Sequence, residues 1–206
     1  MMDIGLIFPN KDRRYKTVHI GLASLAAYAR EQHPELQFFL LDTRVATKKE
    51  TSQFISRHYD LIGMTVFSPV YFEVKELFNK IREKDAKIPV CLGGPYVTTI
   101  KEEIFRETPA DFAVYGEGEV TFSELIWHLK GKTELKDIDG LIYRNGSGNV
   151  IVNKPRKKIR DLDSLPLPAY DIFPMDRYPL HRMVTSRGCI FACAWCNSSS
   201  IWGPSY

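Results

Sequence analysis

The chain has 206 residues, of which 44% are hydrophobic and 26% charged, and its formal net charge is +3. That length suits one full domain plus part of a second, with the composition of an ordinary globular protein. So small a charge gives no footprint for nucleic acid or an acidic membrane surface, and no run approaches the ~20 apolar residues of a membrane span.

The N-terminal run, Met1 to Phe8, has no basic region or cleavage site and reads as a β-strand, not a signal peptide. Strand candidates follow at Asp3–Phe8, Gln37–Asp42, Leu61–Val66, Val90–Gly93 and Asp111–Tyr115. They are short and almost continuously apolar, as parallel strands covered on both faces should be. Between them helical periodicity recurs. Leu22, Leu25, Ala26 and Ala29 share one face, as do Val74, Leu77, Phe78 and Ile81, and again Phe122, Leu125, Ile126 and Leu129. Capping-box patterns at Thr47 to Glu50, Thr99 to Glu102 and Thr121 to Glu124 mark expected helix starts. Five strands alternating with five helices predict a doubly wound α/β domain over residues 1–130. Its sheet is expected to be flavodoxin-like (Rossmann-like), five-stranded and parallel, in the order 2-1-3-4-5.

Residues 131–180 predict a β-hairpin and a linker. Gly140 to Arg144 and Asn149 to Asn153 flank an Asn145-Gly146 turn signal. Between Pro155 and Pro179 lie five of the chain's 12 prolines, which exclude a helix and make a semi-rigid strap. The basic run Lys154 to Arg160 is followed at once by Asp161 and Asp163, so it reads as solvated linker in preference to a phosphate patch. Arg182 to Ser186 resumes strand character.

Ligand contacts in such a sheet come from the loops after the strands. Here those loops carry Pro9-Asn10, Phe67-Ser68-Pro69, Gly93-Gly94-Pro95-Tyr96 and Gly116-Glu117-Gly118-Glu119. Glycine lets backbone amides approach a ligand closely, and each following helix N-terminus adds positive dipole character. Plain βα turns would look much the same.

The strongest signal is Cys189, Cys193 and Cys196, a C-x3-C-x2-C run with Trp195 just before the last thiol. Three thiolates so spaced can each hold one corner of a [4Fe–4S] cube and leave the fourth iron open to an exogenous molecule. Structural zinc is the rival, but it wants a fourth protein ligand, and neither His181 nor Cys91 has the spacing for it. Cys91 reads as a core residue, and clustered free thiols point to a reducing, cytoplasmic setting. Trp195 is expected to pack an apolar shell around the cluster.

The cysteine run closely resembles that of the radical S-adenosylmethionine (SAM) superfamily. The resemblance implies that SAM chelates the open iron and is cleaved to a 5′-deoxyadenosyl radical. Most of the remaining chain resembles the cobalamin-binding domain that precedes the radical SAM barrel in one large subfamily. That likeness is carried by Gly21 to Ala27, Asp60 to Thr65, Gly93-Gly94-Pro95, Gly116 to Glu119, the hairpin and Asp163 to Pro168. It implies cobalamin contacts at Thr65, Ser68, Gly93, Gly94, Tyr96 and the Gly116, Glu117, Gly118, Glu119 loop. The Asp-x-His-x-x-Gly run that supplies a cobalt ligand in methionine synthase-like domains is absent, and His19, before the first helix, reads as a surface residue. Tyr96 stands where relatives often carry His. Full-length relatives are implied to need a reductant such as flavodoxin or ferredoxin, and to methylate a weakly reactive carbon or carry out a radical rearrangement or cyclisation. Residues 181–206 supply about one strand and the cluster loop of the barrel, so the chain alone is expected not to catalyse. Two other readings stand beside this one. A non-catalytic cobalamin-binding module shares the whole N-terminal pattern. A receiver-like signalling domain shares the topology but needs an acidic cluster after strand 1 and a Lys after strand 5, and both are missing.

Overall fold

The computed structural model describes every residue except Arg13, Tyr15, His181, Ala192 and 203–206, and the side chains of Ser199 and Ser200. The first five strands are β1 (Met2–Phe8), β2 (Leu36–Asp42), β3 (Leu61–Thr65), β4 (Val90–Gly93) and β5 (Phe112–Val114). They lie parallel, as the alternating pattern predicts, and in the expected flavodoxin-like order β2-β1-β3-β4-β5. The helices between them are α1 (Ile20–Gln32), α2 (Lys48–Ser56), α3 (Tyr71–Lys84), α4 (Pro95–Ile100), α5 (Ile104–Glu107) and α6 (Glu119–Leu129).

The two faces divide the core by strand periodicity. Ile4 and Leu6 point toward α1 and α6, where they meet Ala23, Ala26, Phe122 and Leu125; Ile7 points the other way, toward Val74, Leu77, Phe78 and Ile81. Buried alanines at 23, 26, 27 and 29 let α1 lie close to the sheet. Among the described residues no helix is long and apolar enough to cross a membrane.

The hairpin, β6 (Leu141–Arg144) and β7 (Val150–Val152), is not a free-standing linker element. It continues the same sheet antiparallel to β5, with Phe112 opposite Tyr143 and Val114 opposite Leu141, so the sheet has seven strands. The strap after it is also fastened down. Ala169 N–H donates to Ala23 O at 3.0 Å, and Phe173 and Tyr178 join the α1 face of the core. Tyr178 donates its hydroxyl to Asp42 Oδ2 at 2.9 Å, and Asp42 is itself held by Arg44 in a buried ion pair.

Three sequence expectations are corrected. Only Thr47 forms the expected capping box. Pro95, with its preset φ, starts α4 four residues before Thr99, while Thr121 lies inside α6 and donates its hydroxyl to Asp139 O at 2.7 Å. Arg182 to Ser186 forms no strand, because it meets no strand to pair with; the nearest pairing is an isolated bridge between Thr17 and Leu180. A last short helix, α7 (Ser198–Trp202), follows the cysteines.

Candidate functional site

The five parallel strands end on one side of the sheet, and there, between α1 and α6, lies a cavity of about 480 Å³. That volume is in the ~300–1,000 Å³ range of small-molecule pockets. Its walls are largely apolar, built from Leu25, Met64, Leu92, Val114 and Phe122. Glycines shape the rest. Gly63 forms part of the lining beside Leu6 and Phe122, where a β-carbon would come within 3.0 Å of the Leu6 side chain and 3.3 Å of the Phe122 ring. Gly94, with φ +96, makes the turn from β4 into α4, and a β-carbon there would lie 2.7 Å from Thr65 Oγ1.

Of the residues singled out in the sequence, Thr65, Gly93, Gly94, Gly116, Glu117, Gly118 and Glu119 line this cavity. Ser68 and Tyr96 do not. Ser68 opens an exposed 3-10 turn, and Tyr96 turns outward to pack on Tyr71, with ring centroids 5.4 Å apart and its hydroxyl 3.4 Å from Glu107 Oε2. Thr65 is buried at the cavity edge, with its Oγ1 against Gly94. Thr98, which sequence reasoning missed, braces two of the loops: it donates to Gly94 O and accepts from Gly116 N–H, each at 3.0 Å. Cys91 is a core residue, 3% exposed, yet it also borders the cavity, and burial pushes its thiol pKa well up.

His19 is half-buried, not a freely exposed surface residue. Its ring lies tilted against Phe8 and edge-on to Phe67, at 4.6 and 5.7 Å between centroids, and borders the cavity. Nδ1 accepts the Leu22 N–H at 3.0 Å, capping α1, which leaves the proton of the neutral ring on Nε2. Burial, and then repulsion from Arg44, push its pKa down to about 4. The unfolded chain therefore binds this proton more readily. The stabilisation it gives is complete above about pH 6.5 and is lost as pH falls toward 4. We expect the urea midpoint of the wild type to drop between pH 7 and pH 5 by more than that of His19→Asn, which keeps a capping acceptor. The difference should be on the order of 1 kcal/mol; equal drops would refute the assignment.

The segment before the cysteines closes the cavity from above through Val184, Ser186 and Arg187, and Trp202 of α7, after the cysteines, adds to that wall. Arg187 donates to Glu117 Oε1 at 2.8 Å and to Glu119 Oε1 at 2.5 Å. Beyond it, Cys189 is partly exposed, and Cys193 and Cys196 are exposed. Cys196 N–H donates to Cys193 O at 3.0 Å, and hydrogen bonds from Ser198 hold the Cys196 thiol pKa below its ordinary value. Among the described residues no three metal-ligating side chains converge, and His181 lies outside those residues. Trp195 packs no shell here, since it is 89% exposed.

Comparison with known proteins agrees with this geometry. An uncharacterised methyltransferase of Pyrococcus horikoshii is 34% identical across 100% of this chain and 47% of its own length. The anaerobic magnesium-protoporphyrin IX monomethyl ester cyclase of Rubrivivax gelatinosus is 26% identical over 69% of this chain and 28% of its own. This chain thus spans less than half the length of either relative. Among solved structures, the cobalamin-dependent SAM radical enzyme OxsB, with aqua-cobalamin and SAM bound, superposes with a TM-score of 0.77. It is 22% identical and covers 95% of this chain and 28% of its own. The radical SAM methyltransferase TsrM of Kitasatospora setae gives 0.76 at 20% identity, over 99% of this chain and 42% of its own. The family profile for the B12 binding domain matches residues 10–126, more than half of the sequence, and the chain belongs to that family.

Proposed function

We propose that this chain is the cofactor-holding part of a cobalamin-dependent radical SAM enzyme. In this reading it binds cobalamin over the strand ends, with the cavity taking the nucleotide tail or corrin edge, and a [4Fe–4S] cluster through Cys189, Cys193 and Cys196, with SAM at the open iron. The observation that carries it is the cavity itself. Apolar walls meet glycine backbone at the ends of β4 and β5, and a few polar groups, Thr65, Glu117 and Glu119, stand at its edge. That lining suits the tail or edge of a large ligand with an apolar body and a polar rim.

When bound, cobalamin supplies a methyl carrier and the SAM-loaded cluster a source of radicals. The chain's own residues contribute in other ways. Leu25, Met64, Leu92 and Phe122 exclude water from the cavity. Gly93 and Gly94 allow close backbone approach, Thr98 fixes the spacing of their loop against Gly116, and Thr65 offers a hydroxyl. His19 presents an Nε2–H, a donor, to its surroundings; in that tautomer it is not a metal ligand. The reaction served is methyl transfer or a radical cyclisation on a small molecule, driven by a flavodoxin- or ferredoxin-type reductant in a reducing, cytoplasmic setting.

A second reading, a cobalamin-holding module with no cluster, is favoured by the exposure of Cys193 and Cys196. Spectral titration with hydroxocobalamin tests what the two share. Saturable binding at one site per chain is expected, and a spectrum unchanged from free cofactor would refute both. Iron uptake then separates them.

A further inference from the structure

Arg187 stands two residues before Cys189, yet its guanidinium is built into the cavity wall. One fork spans two carboxylates, Glu117 on the loop from β5 and Glu119 at the start of α6. Glu117 and Glu119 are only 9% and 5% exposed, and the second oxygen of Glu117 accepts the Ile159 N–H at 2.7 Å. Two carboxylates so close together lose hydration and repel each other, and a cation between them offsets both costs. Removing the cation would leave an acidic pair stranded in the wall.

Immediately after this anchor, Gly188 adopts φ +115, a conformation that strains any residue with a β-carbon. The direction in which the cysteine loop departs is therefore fixed from the Arg187 end. Glu117, Glu119, Arg187 and Gly188 all border the cavity. A ligand there touches the clamp on one side, while the cysteine loop continues from its other side.

We propose that Arg187 is a positioning residue that couples the two cofactor sites, so that filling the cavity sets the cysteine loop and loading the loop tightens the cavity. The proposal rests on the reading that Cys189, Cys193 and Cys196 hold a cluster. Coupling of this kind is reciprocal and ordinarily amounts to ~5–150-fold.

The test measures hydroxocobalamin dissociation constants for this chain before and after reconstitution with iron and sulfide. The ratio of the two is compared among the wild type, Arg187→Gln and Arg187→Lys. A ratio of about fivefold or more is expected for the wild type, falling to about one in Arg187→Gln. Arg187→Lys should lie between, because an ammonium keeps the charge but cannot fork across two carboxylates. Adding Glu119→Gln to Arg187→Gln should change the ratio no further, since both act on one interaction. A wild-type ratio of one, or an equal ratio in the wild type and Arg187→Gln, overturns the coupling while the cluster reading stands. If Arg187→Gln does not fold, a wild-type ratio in Arg187→Lys overturns it equally. A wild-type chain that takes up no iron overturns both, and its iron content identifies that case.

Discussion

Gly93→Leu is expected to weaken cobalamin binding at least about a hundredfold, on the order of 3 kcal/mol, while leaving the fold intact. Gly93 ends β4 at the cavity, and its φ is outside the left-handed region. A β-carbon built there meets a single heavy atom within 4 Å, Val114 O at 3.7 Å, which is ordinary contact. The branched end of a leucine then occupies space that the ligand needs. The melting temperature should move by no more than about 4 °C. Its neighbour supplies the contrast. Gly94 has φ +96, and a β-carbon there would sit 2.7 Å from Thr65 Oγ1 and 3.0 Å from Val66 O. Gly94→Ala should therefore act through the backbone and destabilise the chain by about 1–3 kcal/mol. Titration and thermal melts of the two variants separate a filled pocket from a strained turn. A folded Gly93→Leu chain with unaltered affinity would remove the cavity as the cobalamin site.

How far this site could be read from the sequence follows from the range of each interaction. Parallel strands with both faces covered must be apolar on successive residues, so Ile4 to Phe8 and Leu61 to Thr65 announce themselves. Glycines at the ends of β4 and β5 are legible for the same local reason, because a turn beside a ligand needs backbone without side chains. The hairpin's docking is not local. Its pairing of Phe112 with Tyr143 joins segments that no short window sees together, so hairpin and linker look alike in the sequence. Thr-x-x-Glu spacing also occurs inside helices, where residues three apart simply share a face, so Thr99 and Thr121 mimic caps at helix starts that Gly94 and Gly118 actually occupy. His19 looks like a surface residue until Phe8 and Phe67 close on it. The clamp between Arg187 and Glu117 spans 70 residues, and its only trace in the sequence is an Arg beside the cysteines and a Glu pair with no nearby base.

Cys193→Ala is expected to abolish cluster uptake, with iron content and the brown charge-transfer absorption falling to background after reconstitution under reducing conditions. A cube held at three corners loses a third of its protein bonds with one thiol, and the central cysteine of the run is the one whose carbonyl also shapes the turn to Cys196. The donor chemistry favours thiolate at the last position, where Ser198 lowers the Cys196 thiol pKa, and a thiolate is the form that binds iron. Cys91→Ala is the control. That thiol is 3% exposed in β4, with its pKa raised by burial, so it should contribute nothing to iron binding. Replacement of Trp195 should matter far less than loss of a thiol, because the ring is 89% exposed and packs against no neighbouring core. Undiminished iron and absorbance in Cys193→Ala would refute the cluster assignment. So would tight zinc in the wild type with four protein donors, since a closed tetrahedral site leaves no position for SAM.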